Sequence, residues 1–276
     1  MTTPQRTLAW GAGVQSTALA VMSALGDLEP LELIIHTDPQ WERYETRVIR
    51  SWYQTWLQDH GIETHILPTG NIRTQGAFNH IHMPFWTVDA AGNRRAHLRR
   101  QCSREYKIRP TRRFLRARAG YHPSKAPNPP AALYEQWIGI SLDEANRRKA
   151  SRVQYITARW PLVELRMTRH DCIRYLENHD LPVPIKSACI GCPFRPASEW
   201  LQMRETSPDE WHEACEFDNA IRHNPLAARV GNEGSSTADR LFVYRHAVPL
   251  AEADLATDAT RERPGRQLPL LVPEIH

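Results

Sequence analysis

Lysine is scarce in this sequence, 4 residues of 276 against 31 arginines, and cysteine occurs only five times. An odd handful of cysteines over this length is not a disulfide framework. With no charged segment leading into an apolar stretch at the N-terminus, the thiols are expected to be reduced and the protein cytoplasmic. Long apolar runs are lacking as well. The longest near the N-terminus, residues 17–25, is far too short to cross a bilayer, so no membrane partner is expected. Internal repeats are absent. These gaps exclude secreted, membrane and fibrous classes.

What is present suits a globular fold: 41% apolar and 24% charged residues, enough to bury a sizeable core. The net charge of +4 conceals an uneven distribution. Residues 94–118 hold ten arginines, Lys107 and a single acid, Glu105, a balance of +10, which leaves −6 for the rest of the chain. Arginine richness in itself is what a GC-rich genome produces. Its concentration calls for an anionic partner, either phosphates or acidic side chains of the same fold.

Residues 6–10 form a short apolar run that ends in Gly11-Ala12-Gly13, and an Ala/Leu/Met-rich stretch follows, a strand–turn–helix pattern. Residues 31–36 and 62–67 read as further strands. Between them, residues 41–60 carry Tyr44, Val48, Trp52 and Trp56 at helical spacing and stop before Gly61, a good C-cap. This alternation predicts a parallel sheet with right-handed crossovers, an α/β Rossmann-like fold flanked by helices. Residues 71–132 read as an irregular basic insertion, with a surface loop at 121–130. Residues 133–140 return as a strand, 142–149 and 168–180 as helices. Helices are expected at 197–205 and 208–223, with a last strand at 241–246. The expected organisation is an α/β domain over 1–185, a smaller cysteine-containing helical region over 186–248, and an extended or disordered tail over 249–276.

The turn Gly11-Ala12-Gly13-Val14-Gln15-Ser16-Thr17 stands where a first strand hands over to a helix. Backbone N–H groups and the Ser16 and Thr17 hydroxyls can form a nest for phosphate oxygens there. The pattern is neither a Walker A loop, which would need a lysine, nor the dinucleotide fingerprint. Its bland reading is a tight turn with an N-cap serine. Asp38 closes the neighbouring strand, where a carboxylate can meet a magnesium ion or a ribose.

Together these segments resemble the PP-loop ATP pyrophosphatase (adenine nucleotide alpha-hydrolase-like) superfamily, in particular its phosphoadenosine phosphosulfate reductase-like branch. Gly13, Ser16 and Thr17 match the family's loop, whereas Gly11 and Ala12 replace its first two residues and Gln15 replaces its acid. Asp38 matches the start of the second motif, with Pro39-Gln40 in place of Thr-Gly. Gly139, Glu144 and Arg147, within Ile138-Gly139-Ile140-Ser141-Leu142-Asp143-Glu144 and the arginines after it, resemble a later strand-to-helix element. Acids in a first helical turn also favour the helix dipole without any ligand. The resemblance implies ATP and Mg²⁺ at these positions, and the loss of the loop acid favours nucleotide over metal.

Cys189 and Cys192 form a CxxC followed by Pro193. Alone, it fits zinc, an iron–sulfur cluster or a redox dithiol. No second CxxC or HxxxH completes a zinc site. The stretch from Gln101-Cys102 through Lys107 to Pro110 resembles the Cys-Cys-x-x-x-x-Lys-x-x-Pro segment of iron–sulfur sulfonucleotide reductases, with Gln101 at the first cysteine. That resemblance implies a 4Fe–4S cluster on Cys102, Cys189 and Cys192, with one iron left open as in related tRNA thiolation enzymes. Lys107, Arg104 and Arg109 would offset its charge. Cys172 and Cys215 read as buried small hydrophobes, Cys215 remaining an alternative fourth ligand, and His80 and His82 as structural or surface residues.

The resulting expectation is an ATP-dependent, cluster-dependent sulfur transferase that thiolates an adenylated acceptor. Asp38, Lys107 and Cys189 are its expected catalytic residues. Arg99, Arg100, Arg104 and Arg109 are expected to bind a nucleic acid or nucleotide acceptor. The sulfur donor and the oligomeric state stay open. One alternative is a sulfonucleotide reductase, against which stands the lack of any cysteine after Cys215. Another is a nucleic-acid-binding relative without catalysis.

Overall fold

The computed structural model describes residues 3–79, 83–89, 91–224 and 240–262. Strand β1 (Gln5–Trp10), helix α1 (Val14–Leu25), β2 (Leu33–Asp38), α2 (Tyr44–Asp59) and β3 (Glu63–Pro68) follow the expected alternation. With β6 (Tyr134–Ile138) and β7 (Ile156–Arg159) they form a five-stranded sheet in the order β3-β2-β1-β6-β7, and every pairing in it is parallel. The sequence reading had not picked out β7, whose four residues include a polar threonine and an arginine.

Alternation along the strands decides which face each side chain joins. Leu8, Trp10, Ile34 and Trp137 pack with α1, α2 and α5 (Arg169–Glu177) on one face, while Leu33, Ile35, Tyr134 and Ile156 pack on the other. Helix α1 stops at Gly26, whose φ of 86° lies in the left-handed region. Gly61 follows α2 at φ 77°. Helix α5 starts at a capping box, in which Thr168 and Asp171 each accept the other's backbone N–H. Residues 142–149 were expected to be a helix. They form a 3₁₀ turn, Leu142–Arg147, and α-helical bonding resumes only at the short α4 (Pro161–Glu164).

The basic insertion is more ordered than its composition suggests. Strands β4 (Trp86–Val88) and β5 (Arg94–His97) pair antiparallel, a π-helical turn spans Arg104–Ile108, and α3 covers Arg109–Arg118. Helix α3 lays Leu115 and Phe114 on the second face of the parallel sheet, and Tyr134 Oη donates to Leu115 O at 3.0 Å. The rest of the insertion joins a separate core. Ile72, Ala77, Met83, Phe85 and Tyr106 pack with Trp41 and with α6 (Ala197–Thr206), α7 (Pro208–Ile221) and β8 (Arg240–Phe242).

The tail departs from expectation up to Glu262. It forms a 3₁₀ turn at Leu250–Glu252 and helix α8 (Leu255–Arg261). Leu250 and Leu255 are fully buried. Buried Asp218 accepts from the N–H groups of Val243 (2.7 Å) and Leu250 (3.0 Å), and Glu262 accepts from those of Ala197 (2.7 Å) and Ser198 (3.1 Å) at the start of α6. The expectation for residues 263–276, and that for His80 and His82, lies outside the described residues. Among the described residues no helix is long and apolar enough to cross a membrane.

Candidate functional site

The chain leaves β1 for β2 and β3 on one side and later returns to β6 on the other, so the strand order reverses between β1 and β6. In open α/β sheets a ligand crevice forms at that point, beyond the carboxyl ends of the strands. A cavity of about 1850 Å³ lies there. Gly11, Gly13, Gln15, Ser16, Gly139 and Glu144 line one end of it, and Cys102, Lys107, Cys189 and Cys192 another.

At the β1 end, much of the loop is engaged with itself. Ser16 Oγ accepts from the Gly11 N–H (3.1 Å) and donates to Gly13 O (3.2 Å), and Trp10 Nε1 donates to Thr17 Oγ1 (3.0 Å). Both hydroxyls offered by the sequence to a phosphate are thus used within the loop. Ala12 is buried at a φ of 52°, and neither it nor Thr17 borders the cavity. The groups left to face an anion are the N–H groups of the first turn of α1, which have no intrahelical acceptor. No acid stands in that turn to offset the dipole. Gly139 was expected to touch the nucleotide. It lines the cavity, and its lack of a side chain is required sterically, because a Cβ there would lie 2.7 Å from Ser16 N and 2.8 Å from Ser16 Cα.

Gln15, expected only as a departure from the family's acid, is the hub of a polar network. Its Oε1 accepts from Arg169 Nη1 at 2.9 Å, and its Nε2 donates to Glu144 Oε2 at 3.4 Å and Ser141 Oγ at 3.5 Å. Glu144 pairs with Arg147 at 2.5 Å, and the Arg169 N–H donates to Asp143 Oδ1 at 3.0 Å. Sequence reasoning missed Arg169. Its signal was position, directly after the N-cap Thr168.

Asp38 does not border the cavity. Its Oδ1 accepts from the Gln40 N–H (2.7 Å) and its Oδ2 from Arg50 (2.9 Å), so the carboxylate expected to meet magnesium or ribose is spoken for inside the fold. Arg50 belongs to a buried network that sequence reasoning also missed. His36 Nδ1 lies 3.0 Å from Trp10 O and its Nε2 lies 3.2 Å from Glu42 Oε2, which Arg50 approaches at 3.5 Å. Through it, the end of β2 reaches the cysteines, since Glu42 forms a backbone bridge with Cys189.

The CxxC turn is packed tightly. The Cys192 N–H donates to Cys189 O (3.2 Å), as does buried Arg195 through Nη2 (3.0 Å). A Cβ on Gly191 would come within 2.3 Å of the Trp41 ring and 2.9 Å of Phe217, so only glycine lets the turn sit there. Burial pushes the Cys189 thiol well up, and Cys192, Glu42 and Cys102 add to this while Lys107 opposes it. The three expected ligands therefore share one electrostatic neighbourhood. Among the described residues no set of three or more His, Cys, Asp or Glu is placed to hold a single metal ion. Cys172 is buried on the inner side of α5, its thiol pushed up to about 12 by burial, and the Cys215 thiol, half-buried on α7, is pushed up to about 11 for the same reason.

The arginines expected to bind an acceptor divide. Arg100 borders the cavity, with its guanidinium 5.5 Å from the Phe194 ring centre. Arg99 is exposed, away from the cavity lining. Arg104 and Arg109 both pair with Glu105, at 2.6 and 2.5 Å, and stand outside that lining. Farther along, Arg118 pairs with Glu63 at 2.6 Å, and buried Arg116 holds the carbonyls of His122 (2.9 Å) and Pro127 (3.0 Å) in the 121–130 loop. Part of the basic block is thus structural.

No protein-family model matches the chain, and no curated protein matches it. Among solved structures, a phosphoadenylyl-sulfate (PAPS) reductase from Candida auris, in complex with phosphate, is similar over 66% of this chain and 76% of its own, with 13% identity and a TM-score of 0.42.

Proposed function

We propose that the chain is an ATP-dependent sulfur transferase that activates an acceptor as its adenylate. The observation that carries this reading is the continuity of one cavity from the first turn of α1 to Cys102, Cys189 and Cys192. A nucleotide phosphate facing the uncapped N-terminus of α1 would meet N–H donors and the positive end of the dipole. Arg169 and Arg147 border the same space and add positive charge.

In the proposed reaction an acceptor oxygen attacks the α-phosphorus of ATP, and the bond to pyrophosphate breaks. Hydrosulfide supplied by a donor then attacks the activated carbon, and the C–O bond breaks with AMP leaving on the oxygen. The products are a thiolated acceptor, AMP and pyrophosphate, with no net redox change. For this chain's own residues, the α1 turn binds the phosphates and Gln15 holds Arg169 and Glu144 in place. Lys107 and Arg195 place positive charge beside the thiols. Asp38 acts indirectly at most, by fixing Arg50. Mg²⁺ would have to be carried chiefly by the nucleotide's own phosphates, with the carboxylates of Asp143 and Glu144 bordering the same cavity.

The thiols fit a 4Fe–4S cluster better than zinc. A structural zinc ion takes four ligands, whereas three thiolates can hold a four-iron cluster and leave one iron open, and three thiols border this cavity. Cys102, Cys189 and Cys192 would hold it, and it would supply an iron with an open coordination position. The test is an anaerobic incubation of the protein with ATP, hydrosulfide and RNA or DNA. Acceptor-dependent release of pyrophosphate and AMP in equal amounts is expected. ATP left intact with every acceptor would overturn the reading.

A further inference from the structure

We propose that Phe194 is a stacking platform for an unpaired base of a single-stranded polynucleotide at the cysteine end of the cavity. This deepens the transferase reading by naming its acceptor class, and it rests on that reading for its catalytic meaning. Phe194 is a large apolar side chain left 37% exposed between two buried residues, Pro193 and Arg195. Its backbone is held firmly. Trp86 Nε1 donates to Pro193 O at 3.2 Å, and the Arg195 N–H donates to Cys192 O at 3.0 Å. The backbone that presents the ring is therefore fixed, which reduces the entropy lost when a flat ligand settles on it.

What surrounds the ring suits a nucleobase. His97 meets it edge-on, with centroids 5.1 Å apart and planes at 84°, and His97 itself stands edge-on to Trp86 at 5.2 Å. Arg100 lies over Phe194 at 5.5 Å and Arg94 over Trp86 at 5.7 Å. Aromatic faces interleaved with guanidinium planes take bases by stacking, without selecting their sequence.

Charge extends the argument from one base to a strand. Arg94, Arg99 and Arg100 are exposed, and among the described residues no acidic side chain pairs with them. Arg100 beside Phe194 and Arg94 beside Trp86, with Arg99 next to Arg100 in sequence, offer more positive charge than one mononucleotide needs and match the successive phosphates of a strand. A duplex, whose bases are already stacked, presents no free face to the ring. Phe194 stands two residues from Cys192, so a base stacked on it lies next to the thiols that border the cavity.

The test measures binding of fluorescent oligothymidylate and oligouridylate to the anaerobically prepared full chain, with the matching duplex and mononucleotide as comparisons. Binding is expected to favour the single strand. Phe194→Ala should weaken it roughly tenfold or more, at an unchanged salt slope, and Phe194→Trp should restore it. Arg100→Ala should lower the slope of log affinity against log salt by roughly 0.7, the value per phosphate contact on a single strand. A 2-aminopurine in the oligomer should lose emission on binding the native protein and keep it with Phe194→Ala. Native affinity in Phe194→Ala, or equal affinity for duplex, single strand and mononucleotide, would overturn the proposal. Equilibrium dialysis with ATP on the same preparations separates the two claims: failure to bind ATP would overturn the transferase reading and leave the oligonucleotide result to stand by itself.

Discussion

At the β1 end of the cavity the walls come from segments that adjoin in the sheet: the turn after β1, the turn after β6 and the cap of α5. At the cysteine end they come from the insertion around residues 72–107, the CxxC turn, α6 and α8, held by a core around Trp41, Trp200 and Phe217. The first end is built by a repeating βα pattern, and its tolerances are those of backbone against backbone. The second depends on side chains filling space between remote segments. One cavity thus combines a site of local origin with a site that exists only after global packing.

The largest expected effect separates the two ends functionally. Cys102→Ala, Cys189→Ala and Cys192→Ala should each take the anaerobic protein from about four irons to almost none, with ATP affinity kept. Gly13→Val should do the reverse, losing ATP affinity and keeping iron. A Cβ on Gly13 would meet only Ser187, at an ordinary 3.7 Å, so the sheet survives while phosphate approach is blocked. Iron and sulfide analysis beside equilibrium dialysis reads both, and Cys172→Ala should keep its iron. Stoichiometric zinc without sulfide would remove the distinction.

Next in size are the two glycines that packing demands. Gly139→Ala drives a Cβ into the α1 backbone and Gly191→Ala drives one into Trp41, so each should cost about 2–3 kcal/mol in urea unfolding. Gly13→Ala should stay within ~0.5 kcal/mol. Near-native stability of Gly191→Ala would mean that the cysteine end packs more loosely than described.

A smaller effect is tied to pH. Burial works against the Glu262 carboxylate, but the N–H groups of Ser198 and Ala197, the Ser198 hydroxyl and Arg245 outweigh it and hold its pKa below the ordinary 4.5. A depressed folded pKa adds stability that is complete above the ordinary value and is lost as pH falls through the folded one. Glu262→Gln should therefore cost about 1 kcal/mol at pH 7, the size of a helix cap, and converge on the native protein in acid. Parallel stability curves down to low pH would show that the charge of this contact is immaterial. The smallest effect is expected at the surface. Arg104→Ala breaks an exposed pair with Glu105 and should leave the melting temperature unchanged within error.

Much of the fold was readable from local pattern. The βαβαβ start, the stop of α2 before Gly61, the capping signal at Thr168 and the helices α6 and α7 each follow from periodicity and punctuation within a few residues. Helix α3 was hidden because five arginines among its ten residues obscure an apolar side reduced to Phe114 and Leu115. The folded tail was hidden because its anchors are polar. Asp218, Asp258 and Glu262 hold it, Asp258 by accepting from Tyr244 Oη at 2.6 Å, and no hydropathy pattern records such bonds.

The site divides in the same way. The sequence by itself determined a parallel sheet and a glycine turn opening a helix, because strand alternation, helical period and glycine's freedom act over a few residues. Only the tertiary structure decided that Asp38 is taken by Arg50, that Ser16 and Thr17 serve their own loop, and that Gln15 gathers Arg169 and Glu144. It also decided that Cys102 meets the neighbourhood of Cys189 and Cys192 across 87 residues of chain (189 − 102). The physical reason is that a side chain's partners are set by distance in space, which a sequence leaves open until its elements pack.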